Sequence, residues 1–267
     1  MRIAFQYVFL IAFAGLAPAL SHASDWVEAY QSKVRFESAG FVETDRHKGF
    51  FTAVTLAYDK GWKTYWRNPG DAGISPRFDW TGSVNLKSAT VLYPAPGKFF
   101  DGYADSIGYG GTGITFPIAL EADNPDRPIV LSLAIDYAVC ERICIPERAE
   151  LSAFVRPEPI SGGSNVVAAL NAVPKNHGGP AMVAQIEPGD PAKSVMVKID
   201  ASGDVELFAE GPNREPMLVP KAHEGAEKPT FSVPLDGLPA EKRVAGTEFR
   251  FTIVSADGAY EQVIAAE

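Results

Sequence analysis

The feature that most constrains this sequence is its pair of cysteines, Cys140 and Cys144, which lie in the segment Asp136 to Pro146. Residues four apart on one extended strand are about 13 Å from each other. A disulfide requires Cα atoms within about 7 Å. If the two sulfurs are bonded, the pair therefore cannot lie on a continuous strand.

The flanks of the cysteines show the alternation of β-strands. Apolar residues recur at every second position upstream, and more weakly downstream, at Leu131, Leu133, Ile135, Tyr137, Val139, Leu151, Ala153 and Val155. This pattern predicts a hairpin with the loop Glu141-Arg142-Ile143, in which the cysteines face each other about 4.5 to 5.5 Å apart. A single helical turn also brings residues i and i+4 to one face. It is the second possibility, which Pro146 disfavours.

A disulfide between these cysteines has two possible roles. Closing so short a ring stabilises the fold by only about 2 kcal/mol, and a chain of 267 residues can bury a core without it. A tight hairpin also tends to strain a disulfide and to make it exchangeable. These arguments favour a redox-active pair, with an inert structural disulfide as the alternative.

No metal site is predicted around the pair. Two cysteines supply only half of a tetrahedral site, and His47, His177 and His223 show no ligand spacing.

Residues 1–23 predict export. Arg2 is followed by the apolar run from Ile3 to Leu20 and then by Ser21-His22-Ala23, which is the order of a cleaved signal peptide. The mature chain is expected to begin near Ser24, in an oxidising compartment where disulfides form. An uncleaved membrane anchor is the second possibility. The net charge of −9 and the lack of a basic patch argue against a nucleic-acid partner.

The remaining chain predicts an all-β protein. Short apolar segments separated by Gly, Pro, Asn and Asp predict a β-sandwich over residues 24–156. Residues 157–180 predict a linker with one helix over residues 165–173, capped by Ser164. Further apolar segments predict a second, smaller β domain over residues 181–267.

Two stretches of the predicted sandwich bear on the site. A strand over Thr64-Tyr65-Trp66 is expected to end at the turn-forming residues 67–73, and residues 94–113 are expected to form a loop. We predict that Trp62, Tyr65 and Trp66 belong mainly to the core, with a partner-binding surface as the alternative. We predict that Arg67 and Asp71 form a local salt bridge or brace the turn.

Three separated blocks resemble a known family. They are Gly61-Trp62-Lys63-Thr64-Tyr65-Trp66-Arg67-Asn68-Pro69-Gly70-Asp71-Ala72-Gly73, Ile107-Gly108-Tyr109-Gly110-Gly111, and Asp136 to Pro146. Together they resemble the amino-terminal periplasmic domain of DsbD-like and ScsB-like thiol-disulfide interchange proteins. The cysteine spacing is similar to that of the ScsB-like branch and shorter than that of the best-known members. Long members of the family continue into a membrane domain and a thioredoxin-like domain, which this sequence does not contain.

The resemblance implies a fold and a function. The fold is an immunoglobulin-like sandwich, followed here by the second β domain. Cys140 and Cys144 would accept electrons from a thioredoxin-like protein or a separate membrane donor and pass them to periplasmic disulfide oxidoreductases, without a cofactor. Cys144 would form the bond to the partner. The alternative function is a non-catalytic periplasmic binding or chaperone-like module with an inert disulfide, with metal handling as one variant.

The resemblance also implies a loop that caps the cysteines. Its candidate residues are Phe99, Phe100 and Tyr103, and the alternative is a loop held to the sandwich edge by ordinary hydrophobic contacts. Tyr137 and Tyr109 are predicted to support the site. Two placements stay open for Tyr137, which are against the sulfurs or on the sheet alone.

Overall fold

The computed structural model describes residues 23–37, 40–100, 103–155, 165–189 and 191–267. The predicted signal peptide up to residue 22, the predicted domain boundary at residue 156 and the predicted helix cap Ser164 lie outside the described residues. Within the described ranges, no helix is long and apolar enough to cross a membrane.

The first part of the chain consists of short strands joined by turns. In chain order the strands are β1 (Val27–Ala29), β2 (Ser32–Phe36), β3 (Gly40–Glu43), β4 (Lys48–Tyr58), β5 (Thr64–Gly70), β6 (Arg77–Asp79), β7 (Leu86–Val91), β8 (Gly97–Phe100), β9 (Asp105–Tyr109), β10 (Gly113–Ala122), β11 (Ile129–Cys140) and β12 (Cys144–Val155). All their pairings are antiparallel.

These strands form a sandwich. The large sheet has the order β1-β2-β4-β10-β7, with β3 on β4, and the facing sheet has the order β12-β11-β6. A third sheet, β5-β9-β8, lies beside them. Alternate residues of β4 and β11 point into the core between the sheets, among them Val54, Leu56, Leu133, Ile135 and Tyr137. This is the packing expected of strands that bury one face.

The second part of the chain continues with α1 (Asn165–Asn171) and then with the strands β13 (Met182–Ile186), β14 (Ser194–Ile199), β15 (Val205–Glu210), β16 (Lys221–Ala222), β17 (Thr230–Pro234), β18 (Glu248–Ser255) and β19 (Gly258–Ala265). The sheets β13-β14-β17-β16 and β15-β18-β19 enclose a core of their own, which includes Val197, Phe231 and Phe251. We call residues 182–265 the second domain. The prediction of an all-β sandwich followed by a smaller β domain is confirmed.

The helix predicted within the linker is present. It ends at Asn171, two residues before its predicted end. Val166 and Leu170 are buried against Val42, Phe51 and Ala53. The apolar face of α1 therefore packs on the outer side of the large sheet.

Two local predictions near the site are wrong. Strand β5 does not end at Trp66 but continues to Gly70, and the predicted loop over residues 94–113 contains the hairpin β8-β9. Gly108 lets β9 pair closely with β5. A Cβ on Gly108 would lie only 2.1 Å from the carbonyl oxygen of Thr64, so a larger residue would push the two strands apart.

Candidate redox site

The two cysteines close the β11-β12 hairpin. Cys140 pairs with Cys144 as the last residue pair of the ladder, the Cα atoms lie 4.2 Å apart, and the sulfurs form a disulfide. The loop residues Glu141, Arg142 and Ile143 are exposed. The predicted hairpin is therefore correct in its strands, loop and cysteine register, and the helical turn is excluded.

The two sulfurs lie in different surroundings. Cys140 is only 2% exposed and belongs to a small apolar cluster with Tyr65 and Ala138. Cys144 is exposed. Because a thiol-disulfide exchange begins with attack on an accessible sulfur, this asymmetry makes Cys144 the sulfur that an incoming thiolate can reach.

Tyr65 contacts both sulfurs. Its hydroxyl oxygen lies 3.0 Å from Sγ of Cys140 and 3.0 Å from Sγ of Cys144, and its side chain is fully buried. A disulfide sulfur carries no hydrogen and accepts only weakly, so the Tyr65 hydroxyl donates. The sequence predicted Tyr65 as a core residue and did not identify this contact.

The backbone of β5 fixes Tyr65 in this position. The residue before β5, Lys63, exchanges two backbone hydrogen bonds with Cys140, each 2.9 Å long. The hydroxyl of Thr64 donates to the carbonyl of Ala138 at 2.8 Å. Tyr65 therefore follows directly after a segment that is hydrogen-bonded to the cysteine strand.

Of the three predicted cap residues, Phe99 lies against the site. Its ring centroid is 5.9 Å from that of Tyr65, and the half-buried ring packs on the cluster that contains Cys140. The ammonium group of Lys63 lies 5.1 Å from the centre of the same ring, within the range of a cation–π contact. Phe99 thus separates part of the Tyr65 ring from solvent.

The other two predicted cap residues are largely exposed. Phe100 is 64% exposed and Tyr103 is 90% exposed. Phe100 follows Phe99 on a β-strand, where successive side chains point to opposite faces, so only one of the two rings can face the cysteines. The capping role of Phe99, Phe100 and Tyr103 stays a prediction.

Tyr137 and Tyr109 lie away from the sulfurs. Tyr137 and Val139 point into the sandwich core, whereas Ala138 and Cys140 point to the opposite face of β11. The Tyr137 hydroxyl shares a 3.0 Å hydrogen bond with Ser32, and burial raises its pKa. Of the two placements left open for Tyr137, the structure adopts the sheet.

Tyr109 anchors the hairpin that carries Phe99. Its hydroxyl donates to the carbonyl of Pro94 at 3.0 Å, just before β8 begins, and burial raises its pKa well above the usual value. Tyr109 therefore acts on the site at most through the position of β8 and β9.

Arg67 and Asp71 do not form the local salt bridge that was one of their two predicted roles. Arg67 forms ion pairs with Glu210 and Glu261 of the second domain, and a carboxylate oxygen of Asp71 accepts a 2.7 Å hydrogen bond from the backbone of Val219. As to metals, the described residues contain no group of three or more His, Cys, Asp or Glu side chains that could hold an ion.

Part of this chain matches a known protein family, and its fold is similar to a solved structure. Residues 31–156 match the family described as thiol:disulfide interchange protein DsbD, N-terminal. The fold is similar to the crystal structure of the N-terminal periplasmic domain of ScsB from Proteus mirabilis, with a TM-score of 0.70 and 18% sequence identity over 92% of this chain and 98% of that one. A comparison with curated proteins gives no match.

The family match spans β2 to β12 and so contains the cysteine hairpin, Tyr65 and Phe99. The ScsB domain, by its coverage, shares the fold of the second domain as well. The resemblance to DsbD-like and ScsB-like amino-terminal domains that the sequence blocks predict is therefore confirmed, with residues 31–156 as the part of the chain that carries the DsbD amino-terminal family match.

Proposed function

We propose that this chain is a periplasmic thiol-disulfide interchange protein whose Cys140–Cys144 pair cycles between a disulfide and a dithiol. The observation that carries the proposal is the pairing of an exposed Cys144 with a buried Cys140, with one buried hydroxyl 3.0 Å from each sulfur. An inert cross-link needs neither the accessible sulfur nor a donor directed at both. The family match over residues 31–156 supports the same chemistry.

Reduction of the disulfide would proceed in two exchanges. A thiolate of a partner dithiol attacks Sγ of Cys144, which forms a mixed disulfide and breaks the Cys140–Cys144 bond. Cys140 leaves as a thiolate and takes up a proton. The partner's second thiolate then attacks the partner sulfur of the mixed disulfide and releases Cys144. The partner is oxidised to a disulfide, and this chain gains two electrons and two protons.

Tyr65 would assist the departure of either sulfur. A leaving thiolate is stabilised by a hydrogen bond to its charge, and bonds to charged groups are about twice as strong as neutral ones. The Tyr65 hydroxyl reaches both sulfurs, so it can donate to Cys140 in the first exchange and to Cys144 in the second. Because Tyr65 is buried, water competes little for this donor.

The reverse sequence would deliver the electrons. Cys144, as the thiolate, attacks the disulfide of an acceptor, and Cys140 then attacks Sγ of Cys144 to release the reduced acceptor. We assign the donor to a thioredoxin-like protein or a separate membrane protein, and the acceptors to periplasmic disulfide oxidoreductases. The signal-peptide pattern of residues 1–23 and the periplasmic origin of the similar ScsB domain support this location.

Phe99 would act as the cap of the pair. The ring covers Tyr65 on the edge of the Cys140 cluster and lies on the short hairpin β8-β9, so a modest displacement of that hairpin would expose the site. Phe100 and Tyr103, which are exposed on the same hairpin, would be the first rings that a docking partner contacts.

Trapping the mixed disulfide tests the function. In Cys140→Ser the resolving thiol of this chain is lost. The Cys144 thiolate should then form a lasting covalent complex with a thioredoxin-like protein whose second cysteine is replaced by serine and whose first cysteine is in a mixed disulfide with a small thiol, which leaves as the free thiolate. Non-reducing electrophoresis and mass spectrometry detect the complex. Cys144→Ser should form none, because Cys140 is buried. A complex with Cys144→Ser alone would reverse the two roles. No complex with either variant would indicate the inert disulfide.

A further inference from the structure

The strand that carries Tyr65 is interrupted by a large bulge. In the pairing of β5 with β9, Tyr65 lies opposite Gly108, whereas Gly70 lies opposite Ser106. Residues 66–69, which we call the β5 bulge, therefore face the single residue Ile107. A bulge leaves backbone and side chains outside the ladder, so these four residues need partners elsewhere.

The second domain supplies those partners. The fully buried Trp66 packs on Phe208, with ring centroids 6.0 Å apart. The amide nitrogen of Asn68, which is 1% exposed, donates to the carbonyls of Ala209 at 2.8 Å and Met217 at 3.0 Å. Breaking such buried hydrogen bonds leaves unsatisfied acceptors. The bulge is therefore shaped to fit the second domain.

An ion-pair network reinforces this contact. Arg67 in the bulge donates to Glu210 at 2.7 and 2.9 Å and also pairs with Glu261. Burial raises the pKa of Glu261, but the positive charges of Arg67, Arg214 and Arg250 lower it by more. The net effect is a pKa below the usual value. Both carboxylates belong to the second domain, so the ion pairs of Arg67 join β5 to that domain.

The same segment returns to cover Tyr65. After the bulge, Asp71 accepts the 2.7 Å hydrogen bond from the backbone of Val219. Gly73 then lies against the Tyr65 ring, where a Cβ would be 2.3 Å from Cε1 of Tyr65, and its φ of +128° requires glycine. With Phe99 packed against it as well, the Tyr65 ring is held by a segment that is itself held by the second domain.

We infer that the second domain positions Tyr65 for the exchange reaction, with Asn68 as the main positioning residue and Asp71 as a second. Asn68 touches neither sulfur and acts through Tyr65. The inference rests on the proposed function and assigns to the second domain a part in that function. Deviations on the order of 1 Å at a donor are enough to change a rate substantially, and Tyr65 is three residues from Asn68 along β5.

A double-mutant cycle on the full chain tests the inference. The rate of disulfide reduction by dithiothreitol is measured against pH in the wild type, Asn68→Ala, Tyr65→Phe and the double variant. Tyr65→Phe should slow reduction about tenfold, the effect of one hydrogen bond to a charged group. Asn68→Ala should slow it about fivefold when Tyr65 is present and leave it unchanged, within a factor of about 1.5, in the Tyr65→Phe background. Equal slowing in both backgrounds would overturn the inference.

Two further variants distinguish an effect through Tyr65 from slowing that is caused by a destabilised fold. Asp71→Ala removes one hydrogen bond from an exposed residue, so it should fold and show the same dependence on Tyr65 with a smaller slowing of about twofold. Asn85→Gly is the matched control, because Asn85 also donates to backbone carbonyls. Asn85 lies near the end of β11 that is away from Cys140. Its φ of 60° is one that glycine tolerates. It should leave the rate unchanged. Slowing by Asn85→Gly as large as that by Asn68→Ala would contradict a specific role.

The outcome separates this inference from the proposed function. If the wild-type disulfide is not reduced by the small dithiol under native conditions, the proposed function fails. If the wild type reacts and Tyr65→Phe slows it, but Asn68→Ala and Asp71→Ala do not act through Tyr65, only the positioning role of the second domain fails.

Discussion

Cys140 and Cys144 lie directly opposite each other in the hairpin, yet Cys140 is buried and Cys144 is exposed. One hydroxyl, that of Tyr65, reaches both sulfurs from the buried side. The site thus has an open side for a partner and a closed side with a hydrogen-bond donor.

Removing the Tyr65 hydroxyl should raise the pKa of the reduced thiols, because the thiolate loses a donor. In Tyr65→Phe the ring still fills its place in the cluster, so stability should change little. The pH titration of the thiolate ultraviolet absorbance measures the effect. Tyr260→Phe, which loses a hydroxyl bonded to the carbonyl of Asp257 in the second domain, should leave the titration unchanged. An unchanged thiol pKa in Tyr65→Phe would remove Tyr65 from the mechanism.

Among the predicted cap residues, Phe99 is the one whose ring packs against Tyr65. Phe99→Ala should accelerate alkylation of the reduced thiols several-fold and shift the melting temperature little, because the half-buried ring covers Tyr65 from outside the main core. Phe100→Ala is the matched control on the same strand, with its ring exposed, and should alkylate at the wild-type rate. Wild-type rates in Phe99→Ala and in the triple Ala variant of Phe99, Phe100 and Tyr103 would indicate an ordinary structural hairpin.

The ion pairs between the domains should make stability depend on pH in acid. The pKa of Glu261 is lowered in the folded chain, so its carboxylate contributes stability above its ordinary pKa of about 4.5, and this stability is lost as the pH falls through the lowered value. Glu261→Gln should therefore cost about 3 kcal/mol at pH 7 and progressively less as the pH falls below about 4.5.

Urea unfolding at several pH values measures this difference. Glu121→Gln provides the comparison, because Glu121 pairs with Lys87 on the surface and exposed pairs contribute little. If Glu261→Gln destabilises the chain equally at pH 7 and in strong acid, the effect is one of packing and not of charge.

Export can be tested directly. Mass spectrometry of the protein from fractionated Gram-negative cells should find a mature amino terminus near Ser24 in the periplasmic fraction. Full-length protein in washed membranes would instead support an uncleaved anchor.

The sequence predicted the parts of the site that depend on neighbours along the chain. The alternation through Leu133 and Ile135 indicated the strand that became β11, and the spacing of Cys140 and Cys144 then favoured a single hairpin register. The burial of Tyr65 was also expected from its aromatic ring. These features need only local periodicity and the length of a disulfide.

The contacts that the sequence did not predict join distant segments. The carboxylates that pair with Arg67 are 143 and 194 residues away in the sequence. Asp71 was predicted as the partner because it is close to Arg67 along the chain. Residues 94–113 were predicted as a loop, but Gly108 within them lets β9 approach Thr64. Phe99, Phe100 and Tyr103 were predicted together as cap residues, because a sequence does not show which of two adjacent rings on a strand faces inward.

The reduction potential of the Cys140–Cys144 pair distinguishes an exchanging disulfide from a structural one, and it is measured by equilibration of the full chain with dithiothreitol and glutathione redox buffers. Structural disulfides lie below about −300 mV, and exchanging ones lie higher. We expect a potential above about −300 mV, with rapid approach to equilibrium from both the oxidised and the reduced protein. A potential below about −300 mV would show that the disulfide is a structural cross-link and would contradict the account.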